Sequence, residues 1–162
     1  MIRVADLTGP DAIAVGSAVR EYLQQTELEK SLQENGTALD PTASLPERYL
    51  REVEDPGAAY AEHRVHVAQL GDRVVGVVVL SVREDVAEIK RLWAVPEVRG
   101  RGVGSALLDA ALHEAADRGA AHVRLSVWDW REGPLRLYES RGFERVESWD
   151  ERERLVCMAR PI

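Results

Sequence analysis

The stretch VPEVRGRGVGSALLDAALHEAADRGA, residues 95–120, joins a loop rich in glycine and arginine to a helix pattern rich in alanine and leucine. Gly100, Gly102 and Gly104 stand two residues apart, shortly after an apolar run. Because glycine has no Cβ, it tolerates left-handed backbone and lets a ligand come close to the main chain. A helix that begins in such a loop points its unpaired N–H groups and the positive end of its dipole at the loop. The stretch therefore predicts an anion site, and phosphate is the usual occupant of such a site.

The residues on both sides of this loop predict a βαβ unit. An apolar strand pattern over 87–95 ends at Pro96, which has no N–H to donate to a sheet. Apolar residues then recur at helical spacing over 103–118, and Gly119 ends the helix. HVRLSVWDW, residues 122–130, is the next strand pattern. Since two strands joined by a crossover helix run parallel, the sequence predicts one parallel pair here.

The N-terminal part of the chain predicts a strand and two helices. Residues 2–7 alternate like a short strand, and TGPDAIAVGSAVREYLQQ predicts a helix with Thr8 at its N-cap. The polar stretch 29–43 predicts a loop or a broken helix. A capping box that begins at Ser44 predicts a second helix over 45–54.

Two hairpins complete the predicted sheet. The strand patterns 63–70 and 73–82 are joined by a short turn, and the final runs 143–149 and 154–161 fit another antiparallel pair. The sequence therefore predicts a mixed α/β domain over 1–162, with a mostly antiparallel sheet of six to seven strands, one parallel βαβ unit and flanking helices.

A short helix over 133–141 precedes the last hairpin, and Gly142 follows it directly. If Gly142 takes the left-handed conformation that ends many helices, Phe143 folds back onto Tyr138. The sequence therefore predicts a Schellman motif at this position.

Composition limits the classes of function. The formal net charge of -7 over 162 residues argues against a general nucleic-acid binder. No apolar run approaches the length of a membrane span, so we expect a cytoplasmic protein with no membrane partner. The four histidines have no metal-ligand spacing, so no metal is expected. Cys157 lies among apolar residues, which predicts a buried and inert thiol.

Spacing separates the kinds of glycine loop that bind phosphate. A P-loop ends in Gly-Lys-Ser/Thr, whereas this chain has Gly104-Ser105 and no lysine nearby. A dinucleotide-binding fingerprint has the spacing G-x-G-x-x-G and opens its domain, whereas these glycines stand two apart and follow several strands. The glycine loop of this chain therefore fits neither pattern well, which leaves a third kind of phosphate-binding loop to consider.

The segment resembles the signature of the GNAT superfamily of acetyl-CoA-dependent N-acetyltransferases, written R/Q-x-x-G-x-G/A. Arg99, Gly102 and Gly104 occupy the fixed positions of this signature, and LYESRGF, residues 137–143, is similar to the superfamily's C-terminal helix. The resemblance implies acetyl-CoA as the cosubstrate. It also implies a bulge beyond which the two central parallel strands splay apart around the thioester.

The resemblance further implies which residues bind the coenzyme. Main-chain groups of Trp93, Ala94 and Val95 would run beside the pantetheine arm. Arg131 lies in the region where many relatives carry an asparagine that contacts this arm, and it is the candidate for a side-chain contact despite that departure. The backbone amides that would bind the diphosphate belong to Arg99, Gly100, Arg101, Gly102, Val103, Gly104 and Ser105.

Transfer to an amine needs a base, an oxyanion site and a proton donor for the sulfur. Glu88 on the central strand is the candidate base, acting through water, and water alone is the alternative. A backbone N–H near residues 93–95 would hold the oxyanion. Tyr138 matches the tyrosine of the superfamily's LYE motif, which implies that its hydroxyl protonates the sulfur. The alternative for Tyr138 is a packing role against Phe143.

The acceptor is the least determined part of the prediction. Ser126 stands where acetyltransferases of ribosomal-protein N-termini carry a catalytic glutamate, which disfavours a protein N-terminus. We expect an N-acetyltransferase for the primary amine of a small molecule, with a homodimer as one possible state. The alternatives are a protein acetyltransferase and an acyl-CoA-binding sensor or partner subunit. Acidic residues that would attract a cationic acceptor are Glu47, Glu52, Glu54 and Asp150.

Overall fold

One seven-stranded sheet runs through residues 1–37 and 44–162, the part of the chain that the computed structural model describes. The strands lie in the order β1-β2-β3-β4-β5-β7-β6, and every neighbouring pair is antiparallel except β4 and β5. This arrangement confirms the predicted fold class and the parallel βαβ unit. The strands are Ile2–Val4 (β1), Arg64–Leu70 (β2), Arg73–Arg83 (β3), Val86–Ala94 (β4), His122–Trp128 (β5), Glu144–Arg145 (β6) and Leu155–Pro161 (β7).

Helices cover both faces of the sheet, and each face has its own apolar core. On one face α1 packs Val15, Val19 and Leu23 against β2 and β3. On the other face α4 packs Leu107 and Leu108 against the centre of the sheet. The helices are Asp11–Asn35 (α1), Glu47–Glu54 (α2), Pro56–Ala59 (α3), Val103–Asp117 (α4) and Glu132–Ser140 (α5).

The first helix is longer than the sequence predicts. The prediction of a loop or broken helix over 29–43 is wrong for 29–35, because α1 continues to Asn35. Contacts from a distant part of the chain stabilise this extension, since Trp130 and Arg131 both donate hydrogen bonds to the Glu29 carboxylate. The remainder of that prediction, over 38–43, falls outside the described residues.

Both predicted helix caps are wrong. The Thr8 hydroxyl donates to the Asp6 carboxylate at 2.6 Å, and the helix begins only at Asp11. Pro10 occupies the N-cap of α1, and no side chain of the described residues caps it there. The second helix begins at Glu47, and the residue directly before it, rather than Ser44, occupies the N-cap.

The last hairpin forms, but its first strand is only two residues long. The Schellman motif before it is confirmed. Gly142 has a φ of 84°, and the Phe143 N–H donates to the Tyr138 carbonyl at 3.1 Å. The Tyr138 and Phe143 rings meet edge to face with centroids 5.9 Å apart. This motif fixes where α5 places the Tyr138 side chain.

Candidate active site

The two parallel strands at the centre of the sheet pair over only part of their length. Residues 86–88 of β4 pair with residues 122–124 of β5, and no further pairs join the two strands. The next residues of β4, 89–94, therefore have one edge that faces a gap in the sheet. The splay that the resemblance implied is present.

A bulge in β4 accompanies the gap. On β3, Val77 and Val79 lie opposite Trp93 and Lys90 of β4, so β4 has one residue more than its partner. Within this bulge Arg91 has a φ of 55°, in the left-handed region that non-glycine residues rarely occupy. The sequence gives no sign of the bulge, because no glycine marks it.

An ion pair from the neighbouring helix holds the bulge. The Arg91 guanidinium donates twice to the Glu52 carboxylate, from Nε and Nη2, at 2.9 Å each. The Tyr60 hydroxyl donates to the same carboxylate at 2.6 Å. Burial raises the pKa of Glu52, but the bonds and charge of Arg91 outweigh this effect and leave that pKa below its ordinary value. Arg91 also lies beside the rings of Tyr22 and Tyr49, at 5.8 and 5.6 Å.

A cleft of about 760 Å³ opens at the gap. Side chains from α1, α2, β4, β5, α5 and the segment 149–152 line it. The structure thus brings together five residues singled out by the sequence: Glu88, Ser126, Arg131, Tyr138 and Asp150. Neither cysteine nor histidine is among the described residues that line this cleft, and Cys157 is buried.

Glu88, the candidate base, is half-buried at the closed end of the gap. Its carboxylate accepts a hydrogen bond from Arg124 Nε at 3.1 Å and lies 3.6 Å from Lys90 Nζ. Two cations therefore contact the carboxylate. A proton from an amine would reach it through water that enters the cleft.

Tyr138, the candidate acid, is 7% exposed, and its side chain reaches the cleft from α5. Its hydroxyl has no hydrogen-bond partner among the described residues. Burial raises the pKa of Tyr138 well above its ordinary value, Tyr22 adds to the rise, and Arg131 opposes it. The phenol is consequently protonated near neutral pH and retains a proton to donate.

Arg131 lines the same cleft, but its guanidinium is bound to α1. Nε donates to Glu29 at 2.8 Å, and Nη2 donates to the Thr26 hydroxyl at 2.8 Å. The guanidinium carbon also lies 5.2 Å from the centre of the Tyr22 ring. The ion pair therefore ties the start of α5 to α1 next to the gap.

The glycine loop has the conformation of an anion site. Gly100 and Gly102 both have a φ of 80°, and the first bond of α4 runs from the Ala106 N–H to the Gly102 carbonyl at 2.9 Å. The N–H groups of 102–105 therefore have no acceptor within the helix. By contrast, the N–H groups of Arg99 and Arg101 donate to carbonyls within the preceding turn. The available amides in the described loop are thus that of Gly100 and those at the helix start.

The residues expected along the pantetheine arm surround a second cavity, of about 640 Å³. Trp93, Val95 and Arg99 line it, whereas the two catalytic candidates line the cleft. The Arg99 guanidinium stacks over Trp93 at 4.4 Å and donates to the Ala94 carbonyl at 3.2 Å. The Val95 N–H donates to β3, so it is not available to a ligand. Glu27 lines both cavities.

Two of the four acidic residues expected to attract a cation are engaged by arginines. Glu52 pairs with Arg91, and Asp150 pairs with Arg152 at 2.7 Å. The hydrogen bonds from Arg152 lower the pKa of Asp150 to about 2. Within the described residues there is no group of three or more potential metal ligands, and no helix is long and apolar enough to cross a membrane.

The sequence profile of the family described as "Acetyltransferase (GNAT) family" matches residues 26–143. This range covers the gap, the bulge, the glycine loop and Tyr138. The chain therefore belongs to the GNAT acetyltransferase family.

The chain is similar to two curated relatives and one solved structure. It is 38% identical over 65 residues to an uncharacterised N-acetyltransferase of Methanocaldococcus jannaschii, covering 40% of this chain and 29% of that protein. It is 31% identical over 146 residues to a mycothiol acetyltransferase of Thermomonospora curvata, covering 86% of this chain and 47% of that protein. The chain spans less than half the length of both relatives. The structure of the PaiA N-acetyltransferase of Thermoplasma acidophilum, solved with coenzyme A, superimposes on this chain with a TM-score of 0.69 at 18% identity. The superposition covers 100% of this chain and 98% of that one.

Proposed function

We propose that the protein transfers the acetyl group of acetyl-CoA to the primary amine of a small molecule. The observation that carries the proposal is the gap between β4 and β5, where an unpartnered tyrosine hydroxyl and a carboxylate line one cleft. Family membership supports acetyl-CoA as the donor, and a similar structure was solved with coenzyme A. A relative named for mycothiol supports a small acceptor.

The amides at the start of α4 bind the diphosphate of the coenzyme. The four N–H groups over 102–105 have no acceptor within the helix, and the helix dipole adds to their attraction for an anion. The free edge of 89–94 lies beside the arm of the coenzyme. With the coenzyme bound in this way, the thioester would lie in the gap, next to Tyr138.

The reaction is a direct displacement at the thioester carbonyl. The amine nitrogen forms a bond to this carbon, and an N–H on the free edge of β4 stabilises the oxyanion. The C–S bond then breaks, and the Tyr138 hydroxyl gives its proton to the sulfur. Glu88 takes the proton that the attacking nitrogen loses, through water. The proton is returned to Tyr138 from solvent, so the products are an acetamide and free coenzyme A.

A panel of amines tests the proposal. Purified protein is mixed with acetyl-CoA and single amines, free thiol is followed with a thiol reagent, and the product mass is checked for one added acetyl group. Transfer to at least one small amine is expected. Tight binding of acetyl-CoA with no transfer to any amine, while the chain acetylates no peptide, would contradict the proposal and favour a sensor.

A further inference from the structure

The charged side chains in the cleft are mostly paired. Lys30 lies 3.7 Å from Glu27, and the other cleft cations except one have carboxylate partners at 3.6 Å or less. The exception is Arg48 on α2, which has no carboxylate within 4 Å in residues 1–37 and 44–162. The Arg48 guanidinium instead lies 4.6 Å from the centre of the Tyr49 ring.

Tyr49 is the centre of a cluster of three arginines, which we call the arginine cluster: Arg48, Arg91 and Arg152. These residues come from α2, from the bulge in β4 and from the segment after β6, and all three line the cleft. Arg91 lies 5.6 Å from the Tyr49 ring. The hydrogen bonds to Asp150 raise the pKa of Arg152, and the nearby Tyr49 raises it further.

Two members of the cluster keep a donor after their own ion pairs are made. Arg91 and Arg152 both use Nε and Nη2 for a carboxylate, which leaves Nη1 on each without a partner among the described residues. The Arg48 guanidinium has no hydrogen-bond partner among the described residues. A guanidinium binds carboxylate or phosphate through paired N–H donors, so this cluster has the donors that an anionic group needs.

The coenzyme phosphates are not the anion in question. The amides proposed to bind them lie over 102–105, and no residue of 99–105 lines the cleft. Arg48 shares the cleft with Glu88 and Tyr138 instead. The arginine cluster therefore faces the space where the acceptor must lie.

We propose that the acceptor carries an anionic group, a carboxylate or a phosphate, in addition to its amine, and that Arg48 binds this group. The inference rests on the proposed function, since it concerns the acceptor of that same cleft. It reverses the expectation of a cationic acceptor, because Glu52 and Asp150 are bound to Arg91 and Arg152. Glu151 is the one lining carboxylate without a cation within 4 Å in the described chain, and it lies next to Arg152 in the sequence.

Dead-end binding to the protein saturated with coenzyme A tests the inference without requiring turnover. The first arm compares ω-amino acids of increasing chain length with their carboxamides, which have the same shape and no negative charge. The second arm compares aminoalkyl phosphates with the corresponding amino alcohols. Calorimetry on the wild type is expected to show at least one anionic amine binding about tenfold more tightly than its neutral counterpart.

Two variants of one helix identify the residue responsible. Arg48→Gln is expected to remove most of this preference while leaving the affinity for the neutral amines unchanged. Arg51→Gln is the matched control, because Arg51 is exposed on α2 and does not line the cleft, and it is expected to retain the preference.

The outcomes distinguish a failure of this inference from a failure of the proposed function. Equal affinities for the charged and neutral members of both arms, a preference for the neutral members, no measurable binding of any anionic amine, or an unchanged preference in Arg48→Gln would overturn the inference. None of these results bears on whether neutral amines are acetylated. Conversely, failure of every amine to accept an acetyl group from bound acetyl-CoA removes the proposed function, even where the anionic amines bind.

Discussion

The proposed site has two halves that are built from different parts of the chain. The proposed coenzyme half consists of main chain, namely the amides over 102–105 and the free edge of β4. The proposed acceptor half consists of side chains from α1, α2 and the segment 149–152, and most of its charged side chains are held in ion pairs. Backbone sites depend on local conformation, whereas side-chain sites depend on partners that are distant in sequence.

This difference predicts how each half tolerates substitution. In the main-chain half, only a change that alters φ and ψ or inserts a charge should affect binding. In the side-chain half, a single truncation breaks a pair and leaves its partner without a counter-charge. The following variants test the contrast.

The largest effect is expected from Tyr138→Phe, where the two halves meet. The ring and its contact with Phe143 remain, so the fold should survive, and one O–H donor near the sulfur is lost. We expect kcat to fall about tenfold to a thousandfold, within the lower part of the range for acid–base catalysis. The KM for acetyl-CoA should change little, because the donor acts mainly in the transition state. Steady-state kinetics measures both, and a wild-type kcat would leave Tyr138 with a packing role only.

The next largest effect is expected from Gly104→Glu, which tests the main-chain half. It places a carboxylate among the proposed phosphate ligands, and we expect the affinity for acetyl-CoA to fall by about tenfold or more. Gly104→Ala is the matched control. A Cβ at this position meets only Leu137 Cδ2, at 3.8 Å, so the amides should keep their arrangement and their affinity. Calorimetry decides, and an unchanged dissociation constant in folded Gly104→Glu would refute the assignment of the loop.

Glu88→Gln tests the side-chain half of the reaction. We expect turnover to fall about tenfold at pH 6, where amines are protonated, and to fall less at pH 9, where they lose the proton themselves. Affinity for acetyl-CoA should not change. Arg124→Gln is the control, because it removes a partner of Glu88 but keeps the carboxylate. A pH–rate profile with unaltered shape and height would mean that water alone accepts the proton.

Arg91 lies between the two halves, and two variants separate the effect of its backbone conformation from the effect of its side chain. Arg91→Ala and Arg91→Gly both lose the pair with Glu52. Only alanine then bears the cost of a left-handed backbone, so we expect the glycine variant to be more stable by about 0.5–1 kcal/mol. Urea unfolding measures the difference. If alanine is the more stable of the two, the bulge does not persist without the arginine.

The smallest effect on catalysis is expected far from the cleft, at Asp11. Its carboxylate accepts two hydrogen bonds from Arg3, at 2.6 and 2.9 Å, and these bonds lower its pKa to about 2. Because the folded pKa lies below the unfolded one, the pair stabilises the fold above about pH 4, and the contribution is lost as the pH falls towards 2. Asp11→Asn should therefore cost about 1 kcal/mol at pH 7 and less at pH 3, since Arg3 is partly exposed. Urea unfolding at both pH values checks this, with kcat as an unaffected control.

The sequence predicted the main-chain half better than the side-chain half, for a physical reason. The glycines at positions 100 and 102 directly indicate a left-handed backbone, and Gly142 followed by Phe143 indicates the end of a helix. The resemblance implied a bulge, but its position at Arg91 could not be predicted, because an arginine gives no local sign of a left-handed backbone. The same limit applies to the pair between Glu29 and Arg131, whose partners are distant in sequence.

The absence of cysteine and histidine from the described lining of the cleft has a consequence for the order of events. Those are the side chains that most readily carry an acyl group between two substrates, and the thiol of Cys157 is buried. Direct transfer, as proposed above, would pass the acetyl group from sulfur to nitrogen while both substrates are bound together. Initial-velocity plots against either substrate should therefore intersect rather than run parallel, and no acetylated protein should accumulate when acetyl-CoA is supplied alone.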